Sequence, residues 1–236
     1  GERGPLMAYA RACIDAVYQA MTGFGVDAIA IALVEGTALG GGFEAALAHE
    51  YVLAQKGAKL GFPEIAFNLY PGMGAYSLVA RKAHMRLAEQ LISTGESFSA
   101  EWHHEKGLVD LVFEPGDAYI ATRTFIDGIR PKLNGIHAML RARRRVLPIT
   151  KSELLDITEA WADSAFQLEE KDLAYMERLV MLQNKRSGSA SPAAVGVATH
   201  ATALGEPVAK FGTGNRVAST AVARRSGPTL TSVRGR

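Results

Sequence analysis

One stretch restricts the folds open to this chain more than any other. Ile29-Ala30-Ile31-Ala32-Leu33-Val34 is a short unbroken apolar run, the pattern of a strand covered on both faces. Beyond it the triplet Gly40-Gly41-Gly42 opens a small-residue helix that runs to about His49. Tyr51-Val52-Leu53-Ala54 follows as a second short strand, with a turn at Lys56-Gly57 and a loop through Pro63. Strands joined by helices predict an α/β layer architecture.

The flanks fit that core. Leu6, Tyr9, Ala10, Cys13, Ile14, Val17 and Met21 recur at helical spacing, which predicts an amphipathic helix over about 5–21 with Cys13 as a small core residue. Met73–Thr94 reads as two short helices and Leu108–Phe113 as a strand. Past Pro115-Gly116 the chain is mostly helical to Arg186. In its last long helix Leu154, Ile157, Trp161, Ala165, Leu168, Met176 and Leu179 fall near a 3.6-residue period.

Composition excludes several classes. With 236 residues, 48% of them hydrophobic and 21% charged, the chain can build a sizeable core. No window is apolar enough to span a bilayer. The first residues lack a signal-peptide core, and one cysteine makes no internal disulfide, which predicts a reducing, cytoplasmic setting. With no initiator Met, the chain is expected to be a piece of a longer one. Residues 187–236 hold six Arg/Lys against one Glu, and 38 of these 50 residues are Ala, Gly, Ser, Thr, Pro or Val. That composition predicts a disordered basic tail. Its scattered arginines, without an aromatic stacking platform, predict no nucleic-acid partner. The expected division is a core over 1–114, a helical region over 115–186 and the tail over 187–236.

Candidate chemistry concentrates between Ile31 and Tyr76. Glycine lets the backbone approach a ligand, and first-turn amides favour developing negative charge, so Gly41 is a candidate oxyanion donor. Glu44 lies one turn into the helix, Glu64 follows Pro63 in a loop, and Pro71-Gly72-Met73-Gly74 opens another helix. Two carboxylates beside an oxyanion donor form an acid/base set for chemistry next to a carbonyl. Capping and solvation explain the same two glutamates without catalysis. A rival reading takes Gly40-x-Gly42-x-x-Ala45 with Glu64 as a dinucleotide fingerprint, although the glycines begin late and Glu64 ends no strand. His103 and His104 diverge on a helix and share no metal, which leaves Glu101–Lys106 as a solvated face. Arg141-Ala142-Arg143-Arg144-Arg145 is a basic helix face, or a receptor for an acidic carrier or a phosphate.

The block from Ile31 to Glu44, IALVEGTALGGGFE, resembles the signature of the crotonase superfamily, the enoyl-CoA hydratases and isomerases. Pro63-Glu64 followed by Tyr70-Pro71-Gly72-Met73-Gly74 lies at that family's spacing. Gly42–Leu47, Pro71–Ser77 and Ile157-Thr158-Glu159-Ala160-Trp161-Ala162-Asp163 are similar to the diffusible signal factor synthases of the superfamily. The resemblance implies a crotonase-like ββα spiral, N-terminally incomplete, with an α-helical C-terminal region. It implies Glu44 and Glu64 as the acid/base pair, Gly41 as an oxyanion amide and Gly72 near the catalytic water or substrate. It also implies dehydration of a 3-hydroxyacyl chain on acyl carrier protein to a cis-2-enoyl thioester, then hydrolysis to a free fatty-acid quorum-sensing signal. No metal or organic cofactor and no membrane is implied; a homo-oligomer, a trimer, is. Alternatives are a general enoyl-CoA hydratase or isomerase acting on acyl-CoA, and an inactive scaffold. The family's other oxyanion amide comes from a loop upstream of the glycine run, and only 39 residues precede Gly40 here. The chain alone is therefore expected to be inactive, since losing one donor costs about 3 kcal/mol.

Overall fold

The computed structural model describes residues 3–187, 210–211 and 217–223. Helix α1 (Arg3–Met21) leads into strand β1 (Ala28–Val34), the short strand β2 (Ala38–Leu39), helix α2 (Gly41–Leu47) and strand β3 (Tyr51–Gln55). Strand β4 (Lys59–Gly61) precedes a 3-10 turn, Pro63–Phe67. Helices α3 (Ala75–Lys82) and α4 (Met85–Thr94), strand β5 (Ser97–Ser99), helix α5 (Ala100–Glu105) and strand β6 (Leu111–Phe113) complete the first half. Helices α6 (Ala118–Ile129), α7 (Leu133–Val146), α8 (Lys151–Ala165) and α9 (Glu170–Ser187) follow, then strands β7 (Lys210–Phe211) and β8 (Val217–Ala223).

The main sheet runs β6-β3-β1-β8-β7, with β1, β3 and β6 parallel and β8 antiparallel to β1. A second sheet, β2-β4-β5, sets β4 parallel to β2 and antiparallel to β5. The expected α/β fold is present, and the apolar run does what its pattern predicts. Ile29, Ile31 and Leu33 of β1 join Tyr51 and Leu53 of β3 on one face, under Phe125 and Leu140 of α6 and α7. Ala32, Val34, Val52 and Ala54 face the other way, into a core with Phe43, Leu60, Phe62, Leu78 and Leu91. Period-two alternation on a sheet covered on both sides makes every residue apolar.

Three expectations need correction. Helix α1 buries Met7, Ala10, Ile14, Val17 and Ala20, whereas Tyr9 is 57% exposed and Cys13 only half-buried. The buried stripe keeps Ala10, Ile14 and Val17 as expected and takes in Met7 and Ala20, not Tyr9 and Cys13. The last long helix is two, α8 and α9, because Asp172 turns back to accept from the Glu169 amide at 3.1 Å and caps a new start. The basic tail is not uniformly disordered. Val217–Ala223 pairs with all seven residues of β1, and Ser187 closes α9. The remainder of 188–236 lies outside the described residues. Composition misses β8 because the backbone groups of an otherwise open edge on β1 pair with it, and composition does not register such pairing.

Candidate active site

Gly40 sets the geometry of the site. Its backbone (φ 54°, ψ −128°) is one that glycine adopts readily and other residues resist, and its amide donates to the Gly61 carbonyl at 2.9 Å. This bend turns the chain from β2 into α2 and leaves a bare Cα beneath the Glu64 carboxylate. A Cβ at position 40 would collide with Glu64 Oε1. We expect Gly40→Ala to lose about 1–3 kcal/mol from backbone strain alone and to displace Glu64 as well. Chemical denaturation checks the loss, and a midpoint equal to wild type would remove this account of Gly40.

Glu44, in the first turn of α2, is 1% exposed. Its Oε1 accepts from the backbone amides of Met73 at 2.7 Å and Ala75 at 2.9 Å, where the Gly72–Gly74 loop enters α3. Glu64, on the 3-10 turn, has a buried Oε2 that makes no hydrogen bond among the described residues. Burial pushes both carboxyls up, Glu44 to about 8 and Glu64 to about 7. For Glu44, the nearby Glu64 adds to the rise, and the two amides oppose it. Gly41 is the first residue of α2, so its N–H has no acceptor within the helix. The Met73 sulfur sits 3.0 Å from where a Gly41 Cβ would lie. Gly41, Glu44, Glu64 and Gly72 therefore converge on one place, as their grouping in sequence suggests.

The sequence reading misses what holds that place together. Helix α8 closes over the Gly72 loop: Thr158 Oγ1 donates to the Gly72 carbonyl at 2.8 Å, and Tyr70 Oη donates to the Ile157 carbonyl at 2.8 Å. Gly72 is glycine because the Trp161 indole lies against it; a Cβ would be 2.5 Å from the ring. Glu153 pins the same helix to α3 through Ser77 and Arg81, at 2.6 and 2.7 Å. The motif Ile157–Asp163 stands out in the sequence as a resemblance, but nothing in its spacing shows that it packs on a loop 86 residues earlier.

The other candidates resolve into structure. His103 is fully buried against Phe43, Phe98 and Trp102 and contacts the Leu60 carbonyl at 3.0 Å. The face from Glu101 to Lys106 is therefore solvated only in part. Among the described residues no cluster of His, Cys, Asp and Glu is arranged to hold a metal ion. Arg143 and Arg144 reach the buried Glu50 carboxylate and tie α7 to the start of β3. The dinucleotide reading fails because the Glu64 carboxyl covers Gly40 and fills the space through which a pyrophosphate would have to approach. No helix among the described residues is long and apolar enough to cross a membrane.

Several known proteins are similar to this chain. The chain is 40% identical over 87 residues to the 2,3-dehydroadipyl-CoA hydratase of Escherichia coli, covering 37% of this chain and 34% of that one. It is 38% identical over 112 residues to the peroxisomal fatty acid beta-oxidation multifunctional protein AIM1 of Arabidopsis thaliana, 45% of this chain and 15% of that one. It thus spans well under two thirds of these relatives. The crystal structure of an enoyl-CoA hydratase from Thermoplasma volcanium superposes with a TM-score of 0.55 at 20% identity, over 75% of this chain and 69% of that one, which bears on the fold. Residues 10–141 match the enoyl-CoA hydratase/isomerase family as a whole. That match takes in the glycine triplet, both buried glutamates and the loop whose amides hold Glu44, and on it the chain belongs to the enoyl-CoA hydratase/isomerase family.

Proposed function

We propose that the chain carries the acid/base pair of a lyase acting on acyl thioesters, interconverting a 3-hydroxyacyl and a 2-enoyl thioester. The observation that carries this reading is the pair of buried carboxyls, Glu44 and Glu64, whose burial holds protons into the neutral range, with one Glu64 oxygen unpartnered among the described residues. At neutral pH such a pair shares a proton, so one member can accept while the other donates. In the dehydration direction the ionised carboxyl takes the Cα proton, and the electrons gather on the thioester oxygen beside the Gly41 amide. The enolate re-forms the carbonyl as Cβ releases its hydroxyl, which leaves as water with the proton of the second carboxyl. Hydration is the same sequence reversed.

Hydratases of CoA thioesters among the relatives support CoA as the carrier. A second reading, dehydration on acyl carrier protein followed by thioester hydrolysis to a cis-2-enoic acid, is favoured by one observation. The motif that resembles the signal synthases lies on α8 and packs on the Gly72 loop through Thr158 and Trp161. Exposed Tyr119, Ile120, Met139 and Val146 on α6 and α7 support a homo-oligomer, and the single cysteine supports a reducing, cytoplasmic setting. Mass spectrometry of reactions with 2-enoyl-CoA and with 3-hydroxyacyl carrier protein, catalysed by a protein that adds an upstream oxyanion loop to this chain, tests both readings. Gain of water on the CoA substrate, lost in Glu44→Gln and Glu64→Gln, is the expected result. Free enoic acid from the carrier substrate would move the assignment to the second reading, and turnover unaffected by both substitutions would overturn the acid/base pair.

A further inference from the structure

We propose that Thr158 is a positioning residue for Glu44, acting through the Gly72–Ala75 loop and touching neither the carboxylate nor the reacting atoms. Its hydroxyl, buried in α8, lies 2.8 Å from the carbonyls of both Gly72 and Leu154. One hydroxyl has one proton, and the Leu154 carbonyl already serves the α8 ladder, so Gly72 is the acceptor that depends on it. The next amides along this loop, Met73 and Ala75, are the two that bond Glu44 Oε1. Thr158 thus fixes the peptide whose downstream N–H groups stabilise the ionised form of the carboxyl.

Helix α8 is itself anchored, which makes it a firm support. On one side Asp163, Glu159 and Lys151 pair with Arg3, Arg11 and Asp15 of α1. On the other, Glu153 pairs with Arg81 of α3. The titratable groups whose charge bears on Glu44 are few. Glu64 comes from the 3-10 turn, and Cys13 from α1 lies close enough to feel the Glu44 charge. The cations of α3 are engaged elsewhere, Arg81 with Glu153 and Lys82 with the carbonyls of His49 and Glu50. None of these belongs to α8, so altering Thr158 changes the loop and no local charge.

The significance for turnover rests on the acid/base reading, but the test does not use turnover. The side-chain carboxyl of Glu44 is titrated by carbon-13 NMR in the 236-residue chain and assigned by its disappearance in Glu44→Gln. In Thr158→Val, which keeps the shape and removes the hydroxyl, we expect the midpoint to rise by about one pH unit, the effect of losing or lengthening one charge-assisted amide bond. Thr158→Ser restores the hydroxyl and is expected to titrate within a few tenths of wild type. A Thr158→Val midpoint equal to wild type, or a Ser variant displaced as far as Val, would overturn the proposal. Should the Val variant not fold, Thr158→Cys replaces it as a weak donor, and a Cys midpoint no higher than that of Ser would overturn it equally. If Glu44→Gln keeps full turnover while the midpoint still follows the hydroxyl, the positioning role stands and the catalytic reading falls.

Discussion

Replacing Glu44 with glutamine is expected to make the protein more stable at pH 8 and, where an upstream oxyanion loop is supplied, to lower turnover by about 10²–10⁴-fold, the range of a general acid or base. The amide keeps a carbonyl oxygen for the Met73 and Ala75 N–H groups but cannot ionise. In the native protein burial and Glu64 hold the Glu44 proton far above the ordinary value of 4.5. A carboxyl raised in this way gives its full stability below the unfolded value and loses it as pH climbs toward the folded one, about 8. Glutamine has nothing to lose over that window. The two proteins should therefore melt together near pH 5 and separate as pH rises. Each tenfold difference in proton affinity is worth about 1.4 kcal/mol, or about 2–4 °C in Tm for a chain of this size. Calorimetry at pH 5 and pH 8 checks it. A variant that melts below wild type at pH 8 would show that the native site favours the ionised carboxylate.

Ending the chain at Ser187 should have the largest effect on folding. Strand β8 pairs with β1 along its whole length, Ala28 to Val34, and β1 is the strand on which both cores converge. At about 0.5–1.5 kcal/mol for each backbone hydrogen bond, losing this ladder removes several kcal/mol from a net stability of about 5–15 kcal/mol. It also bares a long apolar edge, the usual start of edge-to-edge association. The truncated chain is expected to melt at least 10 °C lower and to elute as larger species on size exclusion. The helices and the paired glutamates would be untouched by the deletion itself. Unchanged melting would return residues 188–236 to the role of a tail, as their composition suggests.

The grouping of Gly41 with Glu44 was legible in sequence for a physical reason. Gly41 and Glu44 share the first turn of α2, so the helix start alone puts both residues at the same end of the element. Glu64 was legible as a carboxylate but not in its position. Its seat over Gly40 comes from the β2–β4 pairing and the bond from the Gly40 amide to Gly61, contacts twenty residues apart along the chain. The three residues that hold the Gly72 loop, Tyr70 apart, come from α8, and their spacing serves that helix's own packing as well as it serves the site.

The amino-acid order by itself determined the local elements here: the doubly buried strand β1, the glycine-led start of α2, and the paired helices after Met73. Each depends on periodicity or backbone freedom within a few residues. Tertiary structure decided which strand covers β1, which helix carbonyl and hydroxyl hold the Gly72 loop, and how far both glutamates are buried. Proton affinity and edge pairing depend on what surrounds a group in space, and a chain's order does not state its neighbours.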